Sequence, residues 1–233
     1  MTSSTESSPP LGAAAAALEW VQDGMTLGLG TGRAASAFVE ALGARVAGGL
    51  QVTGVPTSEA TAELAGRLAI PLARLEDIDR IDITFDGADE VDPQLDLIKG
   101  YGAAMVREKI VAASSDRLVI LVGPEKRVSA LGERGRLPIE VLPFGEALVR
   151  RELDHIGIES DLRPGSDGAP LVTDNGHWIL DARLSPPSTA VAPADLEAHL
   201  VGLPGVLGTG FFLGMTDAVI IGDRQQAEIL RKS

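Results

Sequence analysis

The chain contains no cysteine, only 3% aromatic residues, and 20 basic side chains against 33 acidic ones. Without cysteine, disulfides and thiolate metal sites are excluded, and a cytoplasmic protein is expected. Scarce aromatics leave Ala, Val, Leu and Ile to build the core of a chain that is 45% hydrophobic. A net charge of −13 does not draw nucleic acid or an anionic membrane to the surface as a whole, so neither is expected as a partner. An anion would have to be met by a local basic site. No apolar stretch reaches membrane-spanning length; the alanine-rich run at 13–17 is too short and reads as a helix start. Residues 1–10 are rich in Ser and Thr, lack the basic start of a signal peptide, and are expected to form a disordered tail.

What is present is alternation. Strands are expected at 25–28, 51–55, 81–85 and 117–122, with helices at 33–46, 58–69 and 103–113 between them and Ser58 at an N-cap position. Strands alternating with helices predict an α/β fold, with a Rossmann-like, mostly parallel sheet and helices on both faces. The pattern changes at 138–142, a strand that ends at Pro143. A helix follows at 145–156, then strands at 158–162 and 171–180, the latter bent into a hairpin at Asp174-Asn175-Gly176. A loop at Pro186-Pro187 and a helix at 194–203 complete a small inserted α+β domain of ferredoxin-like type. Residues 218–222 return to a buried-strand pattern and rejoin the first sheet. The expected organisation is a tail of 1–10, a catalytic domain of 11–131 and 208–233, and a small domain of 132–207.

Two segments carry chemistry. The first is Gly28-Leu29-Gly30-Thr31-Gly32-Arg33-Ala34, which joins a strand to a helix. Glycines let backbone approach a ligand, and a helix N-terminus offers N–H groups to an anion. The spacing also fits a loose dinucleotide fingerprint, but the next strand ends in Gly54-Val55-Pro56-Thr57-Ser58, without the acid that would hold a ribose. Phosphate is therefore the better ligand, and a nicotinamide oxidoreductase the weaker reading. A tight turn without a ligand is the plain alternative.

The second segment runs from Asp86 to Lys109. Asp86 and Asp89 flank Gly87-Ala88, Lys99 precedes Gly100-Tyr101-Gly102, and Glu108 falls near the start of a helix. Such a mixture suits a polyol better than a core. A calcium loop counted from Asp82 fails, since its twelfth position is Pro93. Glu90 and Asp92 read as a solvated turn, and Arg107 and Lys109 as surface charges. Lys126 follows another strand and adds a second cation. His155, His177 and His199 form no metal-ligand or triad spacing, and no metal is expected.

Taken together, these motifs resemble the type A ribose-5-phosphate isomerase family. The resemblance rests on 28–32, 54–58, 86–90, 98–100, 107–111 and Thr173-Asp174-Asn175-Gly176. It implies interconversion of ribose 5-phosphate and ribulose 5-phosphate through an enediolate, without metal or organic cofactor, by a cytoplasmic homodimer or larger oligomer. Glu108 takes the family's base position, a role best served by a pKa lifted toward neutrality. Asp86 and Asp89 would hold sugar hydroxyls and assist ring opening, and Lys99 would stabilise the oxyanion. Thr31, Gly32, Arg33, Ala34 and Lys126 fall to the phosphate, with Gly87, Ala88, Gly100, Tyr101 and Gly102 as further substrate contacts. A sugar-phosphate-binding protein without catalysis is the alternative on the same fold.

The chain departs from the family around the phosphate. The usual Gly-Ser-Thr after Thr31 is Gly32-Arg33-Ala34, residues 1–22 hold no Lys or Arg, and Asp-x-Ser-Lys is reduced to Gly123-Pro124-Glu125-Lys126. Arg33 is expected to replace the missing cation.

Overall fold

The alternation settles, in a computed structural model, into elements that follow the expected order closely. The structure describes residues 11–184, 191–223 and 226–232; the expected tail and the Pro186-Pro187 loop lie outside them. In chain order the elements begin α1 (Leu11–Leu18), β1 (Thr26–Leu29), α2 (Arg33–Ala47), β2 (Thr53–Pro56), α3 (Glu59–Arg67) and β3 (Ile83–Asp86). They continue β4 (Glu90–Val91), β5 (Leu97–Ile98), α4 (Met105–Ala113), β6 (Leu118–Val122), β7 (Leu137–Val141), α5 (Glu146–His155) and β8 (Ser160–Leu162). The last are β9 (Trp178–Ala182), α6 (Pro193–Val201), β10 (Val206–Thr209), β11 (Phe211–Phe212), β12 (Ala218–Gly222) and β13 (Ala227–Arg231).

Packing divides the chain into two units. The first holds the residues up to Gly87, Ser114–Lys126 and those from Thr216 on; the second holds Ala88–Ala113 and Arg127–Met215. The first unit is a six-stranded sheet in the order β13-β12-β6-β3-β1-β2. Five strands are parallel and β13 runs antiparallel to β12. The order reverses between β3 and β1, the kind of crevice where open α/β sheets bind ligands at their carboxyl ends. One sheet face, with Leu27, Leu29, Ile83, Phe85, Val119, Leu121 and Ile220, packs against Ala13, Ala14 and Ala17 of α1, Phe38 and Leu42 of α2, and Ala65 of α3. The alanines bring α1 close: a Cβ on Gly222 would lie 2.9 Å from the Cα of Ala13. Ser58 caps α3, accepting the Thr61 N–H.

Both sheet edges are managed. At β2, Gly54 bonds Pro71 and Ala73 in a parallel bridge around Leu72. At the other edge, β13 carries Glu228 and Arg231 on a largely exposed strand, and the Arg231 guanidinium lies 5.1 Å from the Trp20 ring centroid. β13 was not expected, because Ala-Glu-Ile-Leu-Arg has no clean alternation of period two.

The second unit contains a four-stranded antiparallel sheet, β10-β7-β9-β8, with α5 and α6. Its chain order, β-α-β-β-α-β, is the ferredoxin-like one. The core collects Leu137, Ile139, Val141, Val149, Leu153, Leu180, Leu196 and Leu200. A second antiparallel sheet, β11-β5-β4, is built from strands of two residues each, too short to leave a periodic signal. The strand expected at 171–180 is corrected: it starts at Trp178. Residues 173–177 form a tight turn, closed by the Thr173 N–H to the His177 carbonyl at 2.8 Å. The side chains of Thr173, Asn175 and His177 turn toward Glu140 instead of extending a ladder.

The expectation of an aliphatic core needs one correction. Phe38, Phe85 and Phe212 are fully buried, and the Phe38 and Phe85 rings stack with centroids 4.4 Å apart. Phe38, Phe85 and Phe212 thus join the aliphatic core, while Phe144 is 98% exposed. Phe38→Ala should destabilise the folded protein by about 3–5 kcal/mol in a denaturant titration; a loss below about 1 kcal/mol would show that the pair does not anchor the sheet.

Candidate active site

In the first unit the turns that follow β1 and β3, at the sheet's switch point, lock together through Gly30 and Asp86. A side chain at Gly30 would collide with the Asp86 carboxylate, and its Cβ would lie 2.6 Å from the Asp86 Cα. Only glycine permits this approach. The Gly30 N–H donates to the Phe85 carbonyl at 2.9 Å. Asp86 is wholly buried, and its Oδ1 accepts the N–H of Thr31 at 3.1 Å and of Gly87 at 2.7 Å. Gly32, at φ 97°, then turns the chain into α2. The start of α2, with Arg33 exposed and Ala34 half-buried, presents first-turn N–H groups as helix starts do.

Sequence reasoning missed a hydroxyl cluster beside this loop. Thr31 Oγ1 lies 2.8 Å from both Thr57 Oγ1 and Ser58 Oγ, and 3.2 Å from Thr61 Oγ1. Thr57 donates to the Leu29 carbonyl and Thr61 to the Gly30 carbonyl. These hydroxyls fix the loop between β1 and α2. The signal was the Thr-Ser-x-x-Thr spacing, in which Ser58 was read only as a cap. Lys126 belongs to the same unit, half-buried in a 3-10 turn, Pro124–Lys126.

The second unit brings Lys99 and Glu108 together. Lys99 follows β5, with its N–H on the Gly210 carbonyl at 2.9 Å; Glu108 stands in the first turn of α4. Lys99 Nζ is 3.3 Å from Glu108 Oε1, with side chains 3% and 5% exposed. The ammonium lies 5.4 Å from the Phe212 ring centroid. An ion pair this deeply buried persists only where surrounding structure holds it in register.

The loop between these residues is tightly shaped. Gly100 has φ 105° and Ala103 φ 66°, and a Cβ on Gly100 would press on Met105 Sδ at 2.8 Å. The Tyr101 N–H donates to Asp89 Oδ2 at 2.9 Å, and the Asp89 N–H to the Ile98 carbonyl at 2.8 Å. Asp89 is thereby fastened to the loop that follows Lys99. Gly87 and Ala88 are half-buried beside it in sequence, while Gly102 is exposed.

Several bland readings are overturned here. Glu90 is not solvated: it is fully buried, accepting the N–H of Gly132 at 2.6 Å and of Arg134 at 2.8 Å. Burial raises its pKa, against those two hydrogen bonds. Asp92 is half-buried and takes the N–H groups of Gln94 and Asp96. Arg107 and Lys109 are not loose surface charges. Arg107 donates to Asn175 Oδ1 at 2.8 Å and to the Asp174 carbonyl at 2.7 Å, and Lys109 pairs with Glu197 at 3.0 Å. Among the described residues no group of three or more His, Cys, Asp or Glu side chains converges as a metal site.

The family model for ribose 5-phosphate isomerase A (phosphoriboisomerase A) matches residues 53–226. Ribose-5-phosphate isomerase A of Nitrobacter hamburgensis is 48% identical over 230 residues, covering 94% of this chain and 96% of the relative. The solved ribose 5-phosphate isomerase A of Methanocaldococcus jannaschii superimposes with a TM-score of 0.90 at 38% identity, over 96% of this chain and 98% of that one. A D-ribose-5-phosphate isomerase solved in complex with phospho-erythronic acid gives 0.89 at 38% identity, over 95% and 97%.

Tyr101, the chain's single tyrosine, reports on the loop. Burial first, then the carboxylates of Asp89 and Glu90, push its phenol up to about 12. An acid whose folded pKa is raised favours the folded state while protonated. This contribution is complete below the unfolded value of about 10 and is lost as pH rises from there toward about 12. Absorbance titration of the native protein should give a tyrosinate midpoint near 12; a midpoint near 10 would show that the loop does not hold Tyr101 as described.

Proposed function

Because this chain belongs to the ribose 5-phosphate isomerase A family, we propose that it interconverts ribose 5-phosphate and ribulose 5-phosphate with the segment Asp86 to Lys109 as its chemical centre. The observation that carries this reading is the buried Lys99–Glu108 pair at 3.3 Å. In the open-chain aldose, the Glu108 carboxylate takes the C2 proton and negative charge grows on O1. The resulting carboxylic acid returns the proton to C1 as C2–O2 becomes the carbonyl, and a proton passes from O2 to O1. Charge and atoms balance within the sugar, so the reaction needs only a base and a fixed positive charge. Lys99 supplies that charge where the oxyanion develops, in a site shielded from water.

Asp86 and Asp89 serve the sugar hydroxyls and ring opening in this reading, with Gly87, Ala88, Gly100, Tyr101 and Gly102 as backbone contacts. Support comes from their anchoring: Asp86 is fixed by two N–H donors and Asp89 by the Tyr101 N–H. The phosphate falls to the α2 start at Thr31–Ala34, with Arg33 in place of the missing cation, and to Lys126. Residues 11–131 and 208–233 carry the chemistry and 132–207 the supporting small domain. The same reading places the protein in the cytoplasm as a homodimer or larger oligomer. No helix among the described residues is long and apolar enough to cross a membrane.

A coupled assay of ribose 5-phosphate turnover tests the whole reading, and absence of turnover would favour a binding protein instead. Glu108→Gln should lower kcat on the order of 10²- to 10⁴-fold, the usual worth of a positioned base; a wild-type rate would refute the assignment. Arg33→Ala should raise KM about tenfold with kcat nearly unchanged, as expected when a charge-assisted contact to a non-reacting phosphate is lost. An unchanged KM would remove Arg33 from the phosphate site.

A further inference from the structure

Arg163 lies just beyond β8 and is 7% exposed. Its Nε and Nη2 grip Asp181 of β9 in a fork, at 2.9 Å to Oδ2 and 2.5 Å to Oδ1. The remaining nitrogen, Nη1, does not pair with a side chain. It donates to the carbonyls of Gly100 at 2.9 Å and Tyr101 at 3.1 Å. A buried guanidinium is thus spent on two consecutive carbonyls of the loop that follows Lys99.

A second guanidinium reaches the same loop. Arg136 Nη1 lies 3.4 Å from the same Asp181 Oδ2, and its guanidinium carbon is 4.0 Å from the Tyr101 ring centroid. The Tyr101 hydroxyl in turn donates to the Arg136 carbonyl at 3.3 Å. Asp181, itself 8% exposed, therefore orients two cations onto one short segment, one on its backbone and one on its ring. Core packing alone would not require a desolvated charge there, since apolar side chains of similar volume are at least as stable. The fork's planar, bidentate geometry fixes direction, which a flexible ammonium does not.

We propose that Arg163, oriented by Asp181, is a positioning residue for the isomerase reaction: it fixes the Gly100–Tyr101 backbone, and so sets both Lys99 and the Tyr101 N–H that holds Asp89. The inference rests on the isomerase reading given above. Ala103 holds a left-handed backbone angle, φ 66°, which is strained for a residue with a Cβ, so this loop needs outside contacts to keep its shape. The described contacts of Arg163 are to Asp181 and to the Gly100 and Tyr101 carbonyls, so it acts through the loop. Its loss should appear in kcat, because small displacements of Lys99 and Asp89 weaken transition-state contacts more than ground-state binding.

The test is Arg163→Lys, which keeps a cation against Asp181 but cannot span the carboxylate and both carbonyls. Arg183→Ala, at an exposed pair with Glu159 and Asp161, serves as the control. Arg163→Lys should lower kcat on the order of 10- to 100-fold, with KM for ribose 5-phosphate within about threefold because the phosphate loop is untouched. The Tyr101 titration midpoint should fall from about 12 toward the free value of about 10, while the control keeps both wild-type values. A wild-type kcat in Arg163→Lys overturns the proposal. So does a lowered kcat with the Tyr101 midpoint unmoved, since the loop would then still be held. A wild-type chain without turnover would instead bring down the isomerase reading, and the kinetic role of Arg163 with it.

Discussion

An ammonium and a carboxylate buried at 3% and 5% exposure set the terms for the second unit. Either ion alone would cost several kcal/mol to remove from water, and their attraction offsets this only if the geometry is kept. The surrounding residues do that work from several directions. Phe212 of β11 lies beside the Lys99 ammonium. On α4, the two residues flanking Glu108 are both engaged: Arg107 by Asn175 and Asp174, Lys109 by Glu197. Thr209 donates to the other Glu197 oxygen. The first turn of α4 is therefore fixed at three successive side chains, with the proposed base in the middle.

Asn175 makes the chain of dependence longer. It donates to Glu140 Oε1 at 3.0 Å while accepting from Arg107, and the buried Glu140 also takes Thr173 Oγ1 at 2.9 Å. Glu140 belongs to β7, in the middle of the four-stranded sheet. A turn that reads in sequence as a hairpin thus works as a polar link from that sheet to α4. The first unit uses a different device for the same purpose. There, close backbone approach at Gly30 and the hydroxyls of Thr57, Ser58 and Thr61 at the start of α3 hold the loop between β1 and α2.

Much of this was legible in the sequence, and what escaped did so for physical reasons. The parallel strands and their helices were visible because a strand buried on both faces reads as a continuous apolar run, as in 118–122. The return of β12 to the first sheet was read the same way. Strands of two residues have no period, so β4, β5 and β11 left no trace. The Asp86-to-Lys109 segment stood out because carboxylates, lysine and glycines in one stretch are poor core material. Asp181 and Arg163 did not stand out, because 18 residues separate them and each looks like an ordinary surface charge. Glu90 failed for a related reason: nothing local indicates that the N–H groups of Gly132 and Arg134 will arrive to bury it.

The ends of the parallel sheet have a consequence for how the protein behaves in a crowded solution. An unpaired edge is a template on which another chain can add a strand. Here the Gly54 backbone at one edge is occupied by Pro71 and Ala73, and the antiparallel β13 closes the other with Glu228 and Arg231 on an exposed strand. Charged side chains on an exposed edge strand disfavour the addition of a further strand there. Both ends of the six-stranded sheet thus carry a device against strand addition, so a chain that is 45% hydrophobic is guarded where its backbone would otherwise offer a template.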